Sequence, residues 1–423
     1  MDIVGGKVAS MAEDTGQSVA APFEQEVAGV LQRLRTAFAE LVGALPGGVA
    51  KPADLQRALK LDMKLCWKIF KVLGATDPLA AGPHVPGTAN MRAFLKAVGR
   101  SGVSAGLIES AAQAAADFED LVTTHAGDRS AFDSMTSGLA GEEAGGQIHL
   151  QHKRAAFRAN RHIWGAQAKT LLRALVVQPA TDPTLLSLAV LHGYFDLRRL
   201  RSDAPLVVSR ERLSDNDGTL RKVDREALDP EGQTPHGFAL LREFCSQPLA
   251  TFRTVDAEAG FVHGELVTNG VGNRAAVTFV HGHVIDAAGP RFRDERNDFF
   301  RMSVLVRIPC EVLVFDLLVR EDTFVPCTPE AHVYGEHLGE GPYPSRPQER
   351  DILPLHESVV YLGKGASVLH TPHVPRYMEM ARDVFKRLNW DAGRFDVYRC
   401  HVQYPVLGAT VRVALKMPEG PGE

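Results

Sequence analysis

The chain has 423 residues, a formal net charge of −4, 45% hydrophobic residues and 23% charged ones. Such a composition belongs to ordinary globular protein and excludes wholesale disorder, collagen-like repeats, coiled-coil fibres and a chain that is basic throughout. Two or three domains are expected, because single cores rarely grow past about 250–300 residues.

Residues 1–21 are small and polar and read as a disordered tail, and the acids at Asp2, Glu13 and Asp14 do not suit a secretory signal. From Pro22 onward Val27, Val30, Leu31, Leu34, Phe38, Leu41 and Val42 recur at three- and four-residue spacing, which predicts an amphipathic helix ended by Pro46-Gly47-Gly48. Pro52 opens a short helix, Lys64 to Leu73 forms another, and Asn90 to Val98 a further one. Ser104 is placed to cap a long helix from Ala105 to about Thr124. His125, Asp128 and Arg129 read as a helix end followed by Asp128 capping the next helix, with Arg129 in solvent. Residues 22–138 are therefore expected to be one all-α domain.

The stretch Ser137–Gly146 has the small-residue composition of a linker. Residues 147–201 read as a helical middle region, over Gln151–Leu175 and Pro183–Leu200, and 202–235 as a second, turn-rich boundary. After residue 236 the apolar period falls towards two in TFRTVD, GFVHGELVTNG, AAVTFVHGHVIDA, FFRMSVLVRI and EVLVFDLLV, which predicts strands. A polar loop over about 326–354, a strand at 358–362, one helix (Tyr377–Leu388) and two closing strands complete a β-rich domain at 236–423. The fold class expected is thus α+β: an N-terminal all-α domain, a helical middle region and a β-rich C-terminal domain with one or two helices.

The segment from Ala53 to Leu73, ADLQRALKLDMKLCWKIFKVL, carries apolar residues Leu55, Leu59, Leu61, Cys66, Ile69 and Phe70 at offsets that let two short helices share a core across a tight turn. It resembles the helix–turn–helix of bacterial transcription regulators over about residues 52–73. Gln56 stands where that family usually has a small residue, and Lys60 where it usually has a turn glycine. Lys60 is therefore expected in the left-handed conformation, at a cost of about 1 kcal/mol for a non-glycine residue. The resemblance implies that the second helix enters the major groove of double-stranded DNA.

Charge points the same way. Lys51–Lys71 holds six bases (Lys51, Arg57, Lys60, Lys64, Lys68, Lys71) against two acids (Asp54, Asp62), whereas residues 101–137 hold six acids against one base. Lys64, Lys68 and Lys71 share one helix face, with Trp67 beside them, and Leu65, Ile69 and Leu73 line another. Lys60, Lys64, Trp67, Lys68 and Lys71 are the DNA-contact candidates, and the alternative is a solvated face. A second basic stretch, 144–181, has six Lys or Arg and no acid. Within it Arg154, Arg158 and Arg161 form a further candidate surface, for phosphate backbone, an acidic partner or an internal ion pair.

Two other classes of function compete with DNA binding. His281 and His283 alternate onto one strand face, and with His263 and Asp286 they could hold a metal in an enzyme site. The third reading is an assembly or scaffold protein. Cys400 and His401 point to opposite faces of a strand and cannot serve each other. The chain has no GxGxxG after a strand, GxxxxGK[ST], GxSxG or HExxH, so no cofactor is assigned and no catalytic residue is named. Five cysteines without a CxxC pair read as reduced thiols. The most apolar stretch, Met302–Val319, is broken by Arg307, Pro309, Glu311 and Asp316, so no membrane span is expected. The expectation is a cytoplasmic, homo-oligomeric transcription regulator that binds double-stranded DNA, its β-rich domain serving for dimerisation or for a small-molecule ligand.

Overall fold

The computed structural model describes residues 20–75, 77–137, 142–212, 225–257, 261–268, 270–295, 298–335, 351–355 and 357–420. The expected tail falls, through residue 19, outside the described residues, as do 138–141 of the expected linker and 336–350 of the long polar loop. The chain divides into two compact units at His149–Leu150.

The first unit is helical: α1 (Ala20–Gly43), α2 (Pro52–Leu59), α3 (Met63–Leu73), α4 (Pro78–Ala81), α5 (Thr88–Gly99), α6 (Ala105–His125) and α7 (Arg129–Ser137). Its core joins Leu31, Leu34 and Phe38 of α1 to Leu55 of α2, Ile69 of α3, Phe94 of α5 and Phe118 of α6. Phe38 and Phe94 meet edge to face at 5.4 Å between centroids, a preferred aromatic geometry. Asp128 caps α7 as expected, its Oδ1 accepting from Ser130 N at 2.8 Å and Ala131 N at 2.9 Å. Arg129 does not lie in solvent. It is half-buried over the Phe118 ring, donates to the carbonyls of Gly82 and Val85, and pairs with Asp133 at 2.9 Å. The Gly82 carbonyl also accepts from Val85 N at 3.1 Å, and the guanidinium, with several donors in a fixed fork, reaches it and the Val85 carbonyl at once.

Helix α8 (Glu142–Trp164) crosses the division between the units, and strands follow it: β1 (Ala166–Pro179), β2 (Leu185–Arg199), β3 (Val207–Arg212), β4 (Glu226–Ala227), β5 (Thr251–Ala257), β6 (Phe261–Val267), β7 (Val277–Pro290), β8 (Phe299–Leu305), β9 (Cys310–Arg320), β10 (Glu330–Tyr334), β11 (Val359–Lys364), then α9 (Tyr377–Leu388), β12 (Phe395–Gln403) and β13 (Thr410–Lys416). The helical middle region is thus corrected: α8 stops at Trp164, and 166–199 is β-structure. The second boundary is corrected too, since β2 pairs with β7 across the 202–235 segment and places both sides of it in one sheet.

That sheet has seven strands in the order β11-β12-β9-β1-β2-β7-β4, with β1 and β9 parallel and the other neighbours antiparallel. One face packs on α9, through Leu172, Val314 and Val397 against Met380, Val384 and Phe385. The other packs Leu171, Leu175, Tyr194, Phe279 and Phe315 against two three-stranded sheets, β3-β6-β5 and β10-β13-β8. Side chains alternate along a strand, so from Leu171 onward the odd apolar residues of β1 serve one core and the even ones the other. Both faces are covered, which is why β1 and β2 are almost continuously apolar. Among the described residues, no helix is long and apolar enough to cross a membrane.

Candidate functional site

Helix α2 ends at Lys60, which takes φ 55 and ψ 40, and Lys60 N donates back to Gln56 O at 2.8 Å. This is the left-handed conformation expected of it, and the chain turns there within three residues into α3. Asp62 starts α3 by accepting from Lys64 N at 2.8 Å, satisfying one of the helix's unpaired amides. Leu65, Cys66, Ile69 and Val72 are buried. At roughly 100° per residue, Lys64, Trp67, Lys68 and Lys71 fall within an arc of about 100° on the opposite side.

All four of those side chains are exposed, as is Lys60, and Trp67 has 54% of its surface open. No hydrogen bond or ion pair holds the ammonium groups of Lys60, Lys64, Lys68 or Lys71 among the described residues. Arg57, by contrast, lies 3.5 Å from Asp54. Lys71 and Lys68 also reach His84, which burial and those two charges hold below its ordinary pKa. The face is therefore a row of solvated cations around one indole, with the Asp62 carboxylate at its N-terminal end already engaged with the backbone.

On α8, Arg154, Arg158 and Arg161 are exposed. Arg154 lies over the Tyr404 ring at 5.8 Å, and Arg161 donates to Gln167 Oε1 at 3.3 Å. Phe157 is the buried residue between them, 5.4 Å from Tyr404, and Lys153 pairs with Glu357. This end of α8 is thus held to the strands that follow it by aromatic, hydrogen-bond and ion-pair contacts, with only part of its charge left outward.

The histidines separate. His281 and His283 of β7 line one cavity of about 90 Å³, together with Ser209, Phe238 and Thr254. His263 sits between Val262 and Gly264, both of which line that cavity, so strand alternation turns its imidazole to the other face of β6. Asp286 accepts instead from Ser187 Oγ. Among the described residues no three His, Cys, Asp or Glu side chains are grouped as a metal requires, so His263, His281 and His283 do not converge as a ligand set.

Two residues join His281 that sequence reasoning does not single out. His192 of β2 is its register partner, with ring centroids 5.4 Å apart, and Arg173 of β1 is the register partner of His192. Residues directly opposite in neighbouring strands share a face, so the three form a row across the sheet. Elsewhere, Cys400 is buried in the core with its thiol pushed up to about 12 by desolvation, while His401 faces the His373 ring at 5.0 Å. The two adjacent residues do point apart. No protein-family model matches the chain, and a search of the curated proteins finds no relative.

Proposed function

We propose that the protein binds double-stranded DNA through the outward face of α3 and acts as a transcription regulator. The observation that carries this reading is the arrangement of Lys60, Lys64, Lys68 and Lys71. Each is exposed and, among the described residues, its ammonium is without a partner; Lys60 lies in the turn and the other three on a helix whose other side is fixed in the core. Fixed cations displace condensed counterions from phosphates at little ordering cost, a strong and salt-dependent source of affinity. Lys64, in the first turn of α3, lies where a recognition helix reads base edges, and Trp67 offers an apolar surface to a sugar or a thymine methyl. The turn at Lys60 supports the helix–turn–helix reading, since the conformation adopted there is the one the motif asks of its turn residue.

A single helix of this size makes few contacts, so a dimer reading paired half-sites is part of the proposal, with the β-rich unit supplying the dimer contact or a ligand site. The arginines of α8 are a secondary surface for flanking phosphates. The test is fluorescence anisotropy with labelled mixed-sequence duplex at two salt concentrations. Wild-type protein binds with a steep salt slope, and Lys64→Glu/Lys68→Glu reduces both affinity and slope. Unchanged affinity and slope in that variant refute the reading.

A further inference from the structure

Eleven large apolar side chains stand exposed among the described residues, and five of them belong to one corner of the second unit. Ile163 and Trp164 end α8, Leu200 follows β2, Val267 ends β6 and Val271 lies between β6 and β7. Their exposure runs from 38% at Leu200 to 61% at Ile163. Backbone hydrogen bonds hold these segments side by side: Gly165 O accepts from Leu200 N at 2.7 Å and Arg201 N at 3.2 Å, and Gly272 N donates to Arg199 O at 2.7 Å. Arg199 also donates to Thr268 O at 2.9 Å. Exposed apolar residues scattered singly need no explanation, whereas a group gathered in one place points to a partner.

The same corner is basic. Arg161 and His162 precede Ile163, Arg199 and Arg201 flank Leu200, and Arg274 follows shortly after Val271. Arg158, Arg161, Arg201 and Arg274 are exposed. Among the described residues no carboxylate pairs with Arg158, Arg161 or Arg274. The acids of the 196–203 stretch are already engaged, Asp196 with Arg198 and Asp203 with Arg201 at 3.4 Å. Charge complementarity therefore asks for an occupant that sets negative charge beside apolar groups. A second copy docked through this corner would bring arginine against arginine. Duplex DNA offers phosphates but gives Ile163, Leu200 and Val271 nothing to do, and platforms for single strands are built from aromatic rings, of which this corner has one. A protein interface gathers its apolar residues in a dry centre and its charges in a rim. Here the two kinds alternate along each segment. That is the order of a bilayer interface, where lipid phosphates lie beside the ends of acyl chains and where Trp and arginine are favoured.

We infer that this corner, formed by the end of α8 and the segments after β2 and β6, is a peripheral contact with an anionic lipid surface. The guanidiniums of Arg158, Arg161 and Arg274 meet headgroup phosphates, while Ile163, Trp164, Leu200 and Val271 enter the boundary between headgroups and acyl chains. Such a contact lies on the bilayer and needs no spanning helix. Its strength combines buried apolar area with attraction to anionic lipid, so it requires both halves of the pattern. The inference stands apart from the DNA-binding reading, because it uses no residue of α3.

The experiment is co-sedimentation of the full chain with vesicles of mixed phosphatidylcholine and phosphatidylglycerol, against vesicles of phosphatidylcholine alone. Wild type is expected to pellet with the anionic vesicles and not with the neutral ones. Ile163→Ser/Trp164→Ser weakens that binding by about tenfold or more, and Arg158→Gln/Arg274→Gln by about thirtyfold. All four positions are exposed, so both variants melt as wild type does. Tryptophan emission shifts to the blue on binding; Trp164→Phe removes the shift and Trp67→Phe keeps it. Lys64→Glu/Lys68→Glu pellets as wild type, which separates this surface from the basic face of α3. The inference is overturned if wild type does not bind anionic vesicles, the outcome expected of a surface made for DNA or for an acidic protein. It is equally overturned if Ile163→Ser/Trp164→Ser binds as wild type does, or if Lys64→Glu/Lys68→Glu abolishes the binding.

Discussion

Salt dependence is the sharpest test of the DNA contact proposed for the α3 face. Each phosphate neutralised contributes about −0.9 to the slope of log K against log salt, so the four lysines give a slope near −3.6 for one reader. Between 50 and 200 mM salt the logarithm changes by about 0.6, which corresponds to a loss of roughly 150-fold in affinity. Lys64→Glu/Lys68→Glu removes two contacts, halves the slope to about −1.8 and reduces that loss to roughly 12-fold. A dimer engaging both readers doubles each slope and leaves their ratio at two. Both positions are exposed on α3, so substitution there shifts stability by no more than about 0.5 kcal/mol, and circular dichroism melts of the variant match wild type. Anisotropy titrations across that salt range decide the matter. A variant that keeps the wild-type slope while remaining folded shows that these lysines touch no phosphate.

The remaining predictions concern stability and pH. Lys60→Gly relieves a non-glycine residue held at φ 55 and raises unfolding free energy by up to about 1 kcal/mol in urea; a loss of stability refutes the strain argument. Arg129→Met leaves the Val85 carbonyl and Asp133 without the arginine's donors and takes one of two from the Gly82 carbonyl, and lowers stability by about 2–3 kcal/mol, where a solvated arginine gives almost no change. Arg399 clamps the fully buried Asp316 with bonds of 2.8 and 2.7 Å. Arg399→Met therefore costs about 3–5 kcal/mol, and Asp316→Leu/Arg399→Met recovers most of it. Burial, with positive neighbours, holds His281 at about 3 and His283 at about 4, below the unfolded value near 6.5. The unfolded chain then binds more protons between pH 6.5 and 4, so each histidine lowers stability on acidification by about 1.4 kcal/mol per pH unit. The groups facing them are His192, Arg173 and Arg225. His281→Gln flattens the fall of melting temperature over this range, and an unchanged profile removes His281 as its source.

The elements that sequence reads well are those with one buried face. Helix α9 spans Tyr377–Leu388 as its spacing predicts, because Met380, Ala381 and Val384 face the sheet while Glu379, Lys386 and Arg387 do not. The α2–α3 segment is legible for the same reason, and its geometry even includes the turn conformation of Lys60. Strands β1 and β2 are the opposite case. AKTLLRALVV and LLSLAVLHGYF sit at the centre of a sheet covered on both sides, so neither a period of two nor one of 3.6 survives in them. Length misleads as well, since 14 and 15 residues are long for strands and suit helices, and the basic helix just before them carries the expected helical region too far along. Arg129 shows the limit for single side chains: its partners at Gly82 and Val85 lie more than forty residues away.

The candidate sites divide along the same line. An exposed basic helix face is local information, since spacing along one helix sets both its charge and its direction. The row Arg173–His192–His281 is a product of register. Arg173, His192 and His281 belong to three strands, and become neighbours only because β2 pairs with both β1 and β7 at those positions. A one-residue slip in either pairing would turn one of them to the α9 side of the sheet. Sequence can count Arg173 among six bases and set His281 beside His283, but it cannot show that the three share one row of the sheet. The same register explains why the three histidines do not converge on a metal among the described residues. A metal there would need His263 to join His281 and His283, whereas β6 points Val262 and Gly264 into the cavity.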